Sequence, residues 1–226
     1  VLETIGRRST YFALLIENPM ALSQFVKLVA ATPWISNWIA SHPIVLDELL
    51  DPVRLYAPLA RDELRDELRA RLAHIPAEDL ELQMDILREF RHGHVLRVAA
   101  ADIGPGLPPE QVGANLANLA DATLAESLAL AWRSLTEKHG RPCCPDGSEP
   151  GFAIIGYGKL GSLELGYASD LDIVFVYEGC PEGVTERGLP NEAFFARLGQ
   201  RLIHIVTTRT PGGILYEIDM RLRPSG

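Results

Sequence analysis

Two short apolar runs separated by a glycine-rich stretch constrain the fold more than any other feature of the chain. Phe152–Ile155, which lies between two glycines, is typical of a short buried strand, and Ile173–Tyr177 is typical of a second one. The residues between the runs are rich in glycine, include one lysine and end in Asp170-Leu171-Asp172. The runs therefore predict two strands of a small sheet, with a turn and a pair of acids between them.

The two aspartates stand at the entrance of the second predicted strand. Because side chains alternate along a strand, Asp170 and Asp172 project from one face, about 7 Å apart, while Leu171 turns to the other. Two carboxylates at this distance repel each other unless a cation lies between them. Hard divalent cations take oxygen ligands, and a pair of such ions can serve an in-line phosphoryl or nucleotidyl displacement. The acids therefore predict a divalent metal site.

The glycines allow a second interpretation, a dinucleotide-binding turn. Gly156–Gly161 fits G-x-G-x-x-G after a strand, and Glu178 ends the next apolar run, where an acid for the ribose is expected. That fingerprint belongs to a unit of roughly 30 residues, however, and only Ser162–Ala168 remain here for a crossover helix. A third interpretation is a glycine turn beside a solvated strand end, because acidic side chains are mostly exposed.

A further predicted strand, Ile214–Leu222, alternates clearly between apolar and charged side chains. Its faces comprise Tyr216, Ile218, Met220 and Leu222 on one side and Glu217, Asp219, Arg221 and Arg223 on the other. If this strand lies beside Asp170 and Asp172, its charged face would supply a third carboxylate. Position along the strand does not distinguish between the two candidates, Glu217 and Asp219. The two arginines would contact phosphate oxygens or a protein that accepts a transferred group, or simply balance the charge of three acids.

The chain before this stretch is predicted to be mainly helical. Pro19, Pro33 and Pro43 each suit a first helical turn. His92 and His94 would point about 200° apart on a helix, which makes them a poor metal-binding pair. The clearest break is the sequence IGPGLPP, so we expect a helical lead-in region over residues 1–104 and a catalytic core over residues 105–226.

The composition excludes several classes of protein. A net charge of −9 argues against nucleic acid as a partner, because proteins that bind it normally show a basic stripe. No run approaches the roughly 18 apolar residues of a membrane span, and no signal peptide opens the chain, so we expect no membrane partner. Cys143, Cys144 and Cys180 offer neither a disulfide framework nor a CxxC metal site, which favours a cytoplasmic protein. Val1 begins inside a pattern and Gly226 follows a motif, so we expect a piece of a longer chain.

The glycine turn and the acids resemble the nucleotidyltransferases of the polymerase-beta type. Their signature is a Gly-Ser turn on a short helix, followed by acid-x-acid on a strand. Gly158-Lys159 stands at the turn, with lysine in place of serine, and Asp170-Leu171-Asp172 supplies the acids. Lysine suits a triphosphate as a point charge. The resemblance implies an α+β fold, in which a helical N-terminal region precedes a core whose small mixed sheet is flanked by helices.

Longer strings resemble the glutamine synthetase adenylyltransferase family. They are GYGKLGSLELGYASDLDIVFVY at Gly156–Tyr177, GILYEIDMRLRPSG at Gly213–Gly226 and the helical stretch Asn18–Asp51, so the similarity covers nearly the whole chain. The first two resemble the adenylylating C-terminal unit more than its deadenylylating, phosphorolytic sister. The resemblance implies transfer of AMP from ATP to a tyrosine of glutamine synthetase, which regulates nitrogen assimilation and responds to a PII-type protein. A docking piece without catalysis is the alternative.

The resemblance also implies roles for single residues. It selects Asp219 as the third acid. The catalytic residues, which are also the ligands of two Mg²⁺ ions, are then Asp170, Asp172 and Asp219. The residues implied to bind ATP are Gly156, Gly158, Lys159, Gly161, Ser169, Arg221 and Arg223.

Overall fold

The structure, a computed structural model, describes residues 9–221. Arg223, one of the predicted ATP ligands, lies outside these described residues, as does Leu222. Within the described range, no single helix is long and apolar enough to cross a membrane. One bent pair of helices, Tyr11–Glu17 with Pro19–Ala31, passes the same test of length and composition across a bend of 112°.

The N-terminal part of the described chain is helical. Its elements are α1 (Ser9–Glu17), α2 (Pro19–Ala31), α3 (Pro33–Ser41), a 3₁₀ helix (Pro43–Leu50) and α4 (Pro52–Leu55). Proline begins each of them except α1, because its missing N–H would have no partner in the first turn anyway. The buried side chains that they share include Phe25, Ile39, Leu46, Leu49 and Leu55. The predicted proline-led helices are therefore confirmed.

Longer helices follow, and they join the N-terminal part to the sheet. They are α5 (Arg61–Leu72), α6 (Leu80–Ile103) and α7 (Pro109–His139). The gap between α6 and α7 coincides with the break at IGPGLPP. A second hydrophobic cluster contains residues from both sides of this gap, such as Leu87 and Phe90 of α6 and Leu119 of α7. The division of the chain at residue 104 stays a prediction.

The C-terminal half carries a small mixed sheet. Its elements in order are β1 (Pro142–Cys143), β2 (Phe152–Gly156), α8 (Gly158–Gly161), β3 (Leu171–Tyr177), β4 (Val184–Thr185), α9 (Asn191–Thr207) and β5 (Ile218–Asp219). The strand order is β2-β3-β5, with β2 antiparallel and β5 parallel to β3. β1 and β4 form a separate antiparallel pair. Helices combined with this mixed sheet confirm the predicted α+β class.

Helices cover only one face of the three-stranded sheet. Leu171 and Ile173 of β3 are fully buried in the same hydrophobic cluster as Phe194 of α9. Because side chains alternate, Asp172 lies on the opposite face, together with Val176, which is 51% exposed. The open face of β3 therefore begins with an acid and continues with apolar side chains.

The third predicted strand, Ile214–Leu222, is shorter than expected. Of its described residues, only those of β5 are in a strand. The N–H groups of Leu215 and Tyr216 both donate to the carbonyl oxygen of Val206 at the end of α9, 3.1 and 3.2 Å away. Both side chains are buried, so the alternation predicted from the sequence does not hold there.

The antiparallel pairing of β2 with β3 contradicts the dinucleotide-binding interpretation. That fold needs parallel strands joined by a crossover helix, whereas the helix between β2 and β3, α8, is 4 residues long. The G-x-G-x-x-G match covers the end of β2 and the whole of α8, at the start of the connection between two antiparallel strands.

The expectation that the three cysteines offer no disulfide framework is wrong for two of them. A disulfide joins Cys144 and Cys180, whose Cα atoms are 5.8 Å apart, and Cys143 is free. The partners are 36 positions apart in the sequence, and an odd number of cysteines gives no framework pattern from which their pairing could be deduced.

His92 and His94 lie on opposite sides of α6, as the sequence predicts. The Nε2 atom of His92 is 2.8 Å from the carbonyl oxygen of Gly212, and its ring centroid is 3.9 Å from that of His42. The Nε2 atom of His94 instead lies 3.6 Å from a carboxylate oxygen of Glu67. Burial lowers the pKa of His92 to about 3, and the charge of the neighbouring His42 ring acts in the same direction.

Acidification should destabilise the fold through His92. Because its pKa is about 3 in the fold and 6.5 ordinarily, the unfolded chain binds the proton more strongly between these values. His92 alone should therefore lower the free energy of unfolding by about 1.4 kcal/mol per pH unit below about pH 6.5. Burial also lowers the pKa values of His42 and His94, which therefore contribute in the same direction.

The measurement is urea unfolding of the wild type and His92→Gln at several pH values between about 5 and 7. We expect the variant to lose stability less steeply on acidification, because glutamine does not titrate. The same slope in both proteins would contradict a buried, neutral His92.

Candidate functional site

The glycine turn between β2 and β3 packs directly against Asp172. Gly158 has a φ of +54°, and a Cβ atom there would collide with Oδ2 of Asp172. A Cβ at Gly161 would lie 2.8 Å from the carbonyl oxygen of Gly156. The N–H of Tyr157 donates to the main-chain oxygen of Asp172 at 3.0 Å. Glycine is therefore required where the turn meets the acid-bearing strand.

The parallel pairing of β3 with β5 brings two of the predicted acids together. Asp172 and Asp219 are register partners, and neighbouring strands lie about 4.8 Å apart, so both side chains leave the sheet on one face. The N–H of Leu171 donates to the carbonyl oxygen of Glu217 at 2.9 Å, which fixes this register. Asp170, the remaining predicted acid, is exposed just before β3 begins.

A guanidinium group balances the charge at Asp219. The Nε and Nη2 atoms of Arg221 contact its carboxylate oxygens at 2.9 and 2.7 Å, and the N–H of Arg221 donates to Oδ1 at 2.8 Å. The side chain of Asp219 is 14% exposed and that of Arg221 is 74% exposed. The hydrogen bond to Asp219 raises the pKa of Arg221, and the charge of Asp170 contributes in the same direction. This ion pair agrees with charge balance, and a contact of Arg221 with phosphate or with an acceptor protein stays a prediction.

The remaining described ATP-ligand candidates surround the same turn. Lys159 is exposed on α8, and within residues 9–221 it forms no ion pair. The hydroxyl oxygen of Ser169 accepts a hydrogen bond from the N–H of Gly166 at 3.1 Å, which orders the loop before Asp170. Leu160 packs over Gly156, where a Cβ would lie 2.9 Å from its Cδ2 atom.

Tyr157 is a site residue that sequence reasoning missed. In addition to its N–H bond with Asp172, its hydroxyl donates to the carbonyl oxygen of Arg221 at 3.1 Å. It therefore connects the glycine turn to the segment that carries Asp219. The available signal was the position of a large aromatic residue between two glycines of the turn.

The donor set suits a hard divalent cation. Mg²⁺ usually takes one or two protein carboxylates and completes its shell with water and substrate phosphates. Within residues 9–221, no three His, Cys, Asp or Glu side chains are placed so that they could hold a metal ion together. Asp172 and Asp219 are register partners and supply two carboxylates, and Arg221 already holds positive charge at one of them. The three-acid, two-ion site stays a prediction.

Comparisons with known proteins give a consistent result. Residues 22–226 match the protein-family model of glutamate-ammonia ligase adenylyltransferase. Relatives described as bifunctional glutamine synthetase adenylyltransferase/adenylyl-removing enzymes are 52% identical in Pseudomonas putida, 51% in Thioalkalivibrio sulfidiphilus and 49% in Vibrio parahaemolyticus. Each alignment covers 100% of this chain and 24% of the relative. The chain therefore spans about a quarter of the length of the curated relatives it matches.

Gly158→Ala should disturb the site, whereas Gly151→Ala should not. Alanine at position 158 adopts a left-handed conformation at a cost and collides with Asp172, so we expect a loss of about 1–3 kcal/mol in unfolding free energy. A Cβ at Gly151 meets nothing within 4 Å, and we expect less than about 0.5 kcal/mol there. Urea unfolding of the two variants measures both quantities. Equal losses would contradict the close packing of the turn on Asp172.

Proposed function

The chain belongs to the glutamate-ammonia ligase adenylyltransferase family, and we propose that it transfers AMP from ATP to a tyrosine hydroxyl of glutamine synthetase. The observation that carries the proposal is the pairing of Asp172 with Asp219 beside a glycine turn. A turn that presents backbone N–H groups suits a triphosphate, and neighbouring carboxylates suit the cations that accompany it.

We assign the chain to the adenylylating unit of the family. The sequences GYGKLG, ELGY and LYE-x-D resemble that unit more than its deadenylylating sister. The names of the relatives include both adenylyl transfer and adenylyl removal, and the direction of the reaction therefore tests this assignment.

In this proposal ATP lies with its triphosphate along the turn Gly156–Gly161. Lys159, which is exposed at the start of α8, supplies a positive charge to the phosphates. Ser169 and Arg223 are proposed as further ATP ligands. Arg221 is proposed to contact the phosphates through Nη1, because Nε and Nη2 are the side-chain nitrogens that bond to Asp219.

Asp170, Asp172 and Asp219 would hold two Mg²⁺ ions in this site. When bound, these ions would offset the charge that develops on the leaving pyrophosphate. Asp219 would lie nearest the acceptor and favour loss of the proton from the tyrosine hydroxyl. The tyrosine oxygen would then form a bond to the α-phosphorus as the bond from that phosphorus to pyrophosphate breaks, which leaves AMP in a phosphodiester link.

The biological setting is also a proposal. Modification of glutamine synthetase in the cytoplasm would regulate nitrogen assimilation. A PII-type protein would act through the full-length protein, with neither nucleic acid nor a membrane as partner. The negative charge of the chain, −9, favours such a protein acceptor over a nucleic-acid one.

Removal of either paired acid should abolish transfer. We expect Asp172→Asn and Asp219→Asn each to lower kcat for AMP transfer by about a hundredfold or more, because each removes an anionic ligand from the site. Asp66→Asn, an exposed acid on α5, is the matched control and should retain activity. The measurement is incorporation of label from α-labelled ATP into glutamine synthetase. Binding of glutamine synthetase without transfer by the wild type would indicate a docking piece, and phosphate-dependent release of label alone would indicate the deadenylylating unit.

Replacement of Lys159 should weaken ATP binding. Lys159→Ala removes a point charge from an exposed turn, so we expect the KM for ATP to rise about tenfold with a smaller change in kcat. Lys27→Ala, an exposed lysine on α2, serves as the control and should match the wild type. Unchanged KM in Lys159→Ala would remove the lysine from the proposed triphosphate site.

A further inference from the structure

A fully buried arginine on α6 holds the chain that leads to Asp219. The guanidinium of Arg88 donates to the carbonyl oxygens of Gly213 at 2.8 Å and Ile205 at 3.0 Å, and also to that of Thr208. A further bond runs to Met84 in its own helix at 2.7 Å. Burial of a guanidinium group is costly unless its N–H donors form hydrogen bonds. The contacts of Arg88 therefore tie the end of α9 and the following turn to α6.

Two neighbours of Arg88 contact the same turn. One helical turn later, His92 donates from Nε2 to the carbonyl oxygen of Gly212 at 2.8 Å; this nitrogen carries the proton, because a carbonyl oxygen can only accept. One helical turn earlier, the carboxylate of Asp85 accepts a hydrogen bond from the hydroxyl of Thr210. Residues three and four apart share a face of a helix, so one face of α6 holds residues 210–213.

Further contacts fix the segment between this turn and Asp219. Leu215 and Tyr216 are buried, and the guanidinium carbon of Arg91, also on α6, lies 4.4 Å from the ring centroid of Tyr216. The carbonyl of Glu217 then accepts from β3. β5 itself pairs with β3 over 2 residues only, and so short a ladder specifies register weakly without other contacts. The position of Asp219 therefore depends on what holds the chain before it.

We propose that Arg88 and His92 are positioning residues, which act through the turn at Gly212 and Gly213 to keep Asp219 beside Asp172. Neither touches the reacting groups. The inference rests on the proposed function only in taking Asp219 as an acid of the reaction. It makes α6, which belongs to the predicted lead-in region, a structural part of the catalytic site.

His92 allows a sharp test by amide hydrogen exchange. His92→Phe keeps a ring but removes the donor to Gly212, so residues 209–220 should exchange about tenfold faster, while the β2–β3 pair keeps its wild-type rate. His92→Gln retains an N–H donor and should restore slow exchange. His94→Phe is the matched control, because His94 is equally buried on the same helix, 2% exposed, and faces Glu67 instead.

The same variants separate positioning from general stability. We expect the kcat for AMP transfer to fall about tenfold in His92→Phe with little change in KM for ATP, and to recover in His92→Gln. His94→Phe should lower global stability, measured by urea unfolding. It should change neither the exchange of residues 209–220 nor the kcat for AMP transfer. Should His92→Phe not fold, Thr210→Val removes the neighbouring contact with Asp85 and carries the same expectations.

Three results would overturn the inference: unchanged exchange of residues 209–220 in His92→Phe, equal exchange in His94→Phe, or faster exchange with an unchanged kcat. A wild type that transfers no AMP would instead contradict the proposed function, and the exchange rates would still decide whether α6 holds this segment.

Discussion

The proposed site depends on two like charges that lie side by side on neighbouring parallel strands. Asp172 and Asp219 are register partners on neighbouring strands. Carboxylates placed in this way repel each other unless positive charge compensates them. In the described residues Arg221 supplies part of that charge to Asp219. A pair of this kind is unfavourable for a purely structural role. It suits a site in which cations and a polyphosphate complete the charge balance, which is why the pair carries the proposed adenylyl transfer.

Surrounding elements keep these acids in place. The turn at Gly158 leaves room for the carboxylate of Asp172, and Tyr157 connects the turn to both acid-bearing segments. On the other side, Arg88 and His92 of α6 hold the turn that precedes β5. Contacts from α6 therefore join the helical region to the segment before β5, although a break in the sequence separates α6 from α7.

The sequence predicts the local features well. The strands β2 and β3, the glycine turn, the break before Pro109 and the proline-led helices all follow from periodicity and turn chemistry, which act over a few residues. Sequence-based prediction fails where contacts between residues far apart in the chain determine the structure. β5 is short because Leu215 and Tyr216 bond to the end of α9, and Cys144 pairs with a cysteine 36 positions away. The bonds of Arg88 to Gly213, Ile205 and Thr208 join residues more than a hundred positions apart, and no local pattern indicates them.

The most direct test of the central claim is a crystal structure of the chain with Mn²⁺ and ATP, with anomalous scattering used to locate the metal. The account predicts anomalous density between the carboxylates of Asp172 and Asp219, with the triphosphate along the glycine turn. Density only at other carboxylates, or an Asp219 that lies away from Asp172, would contradict it.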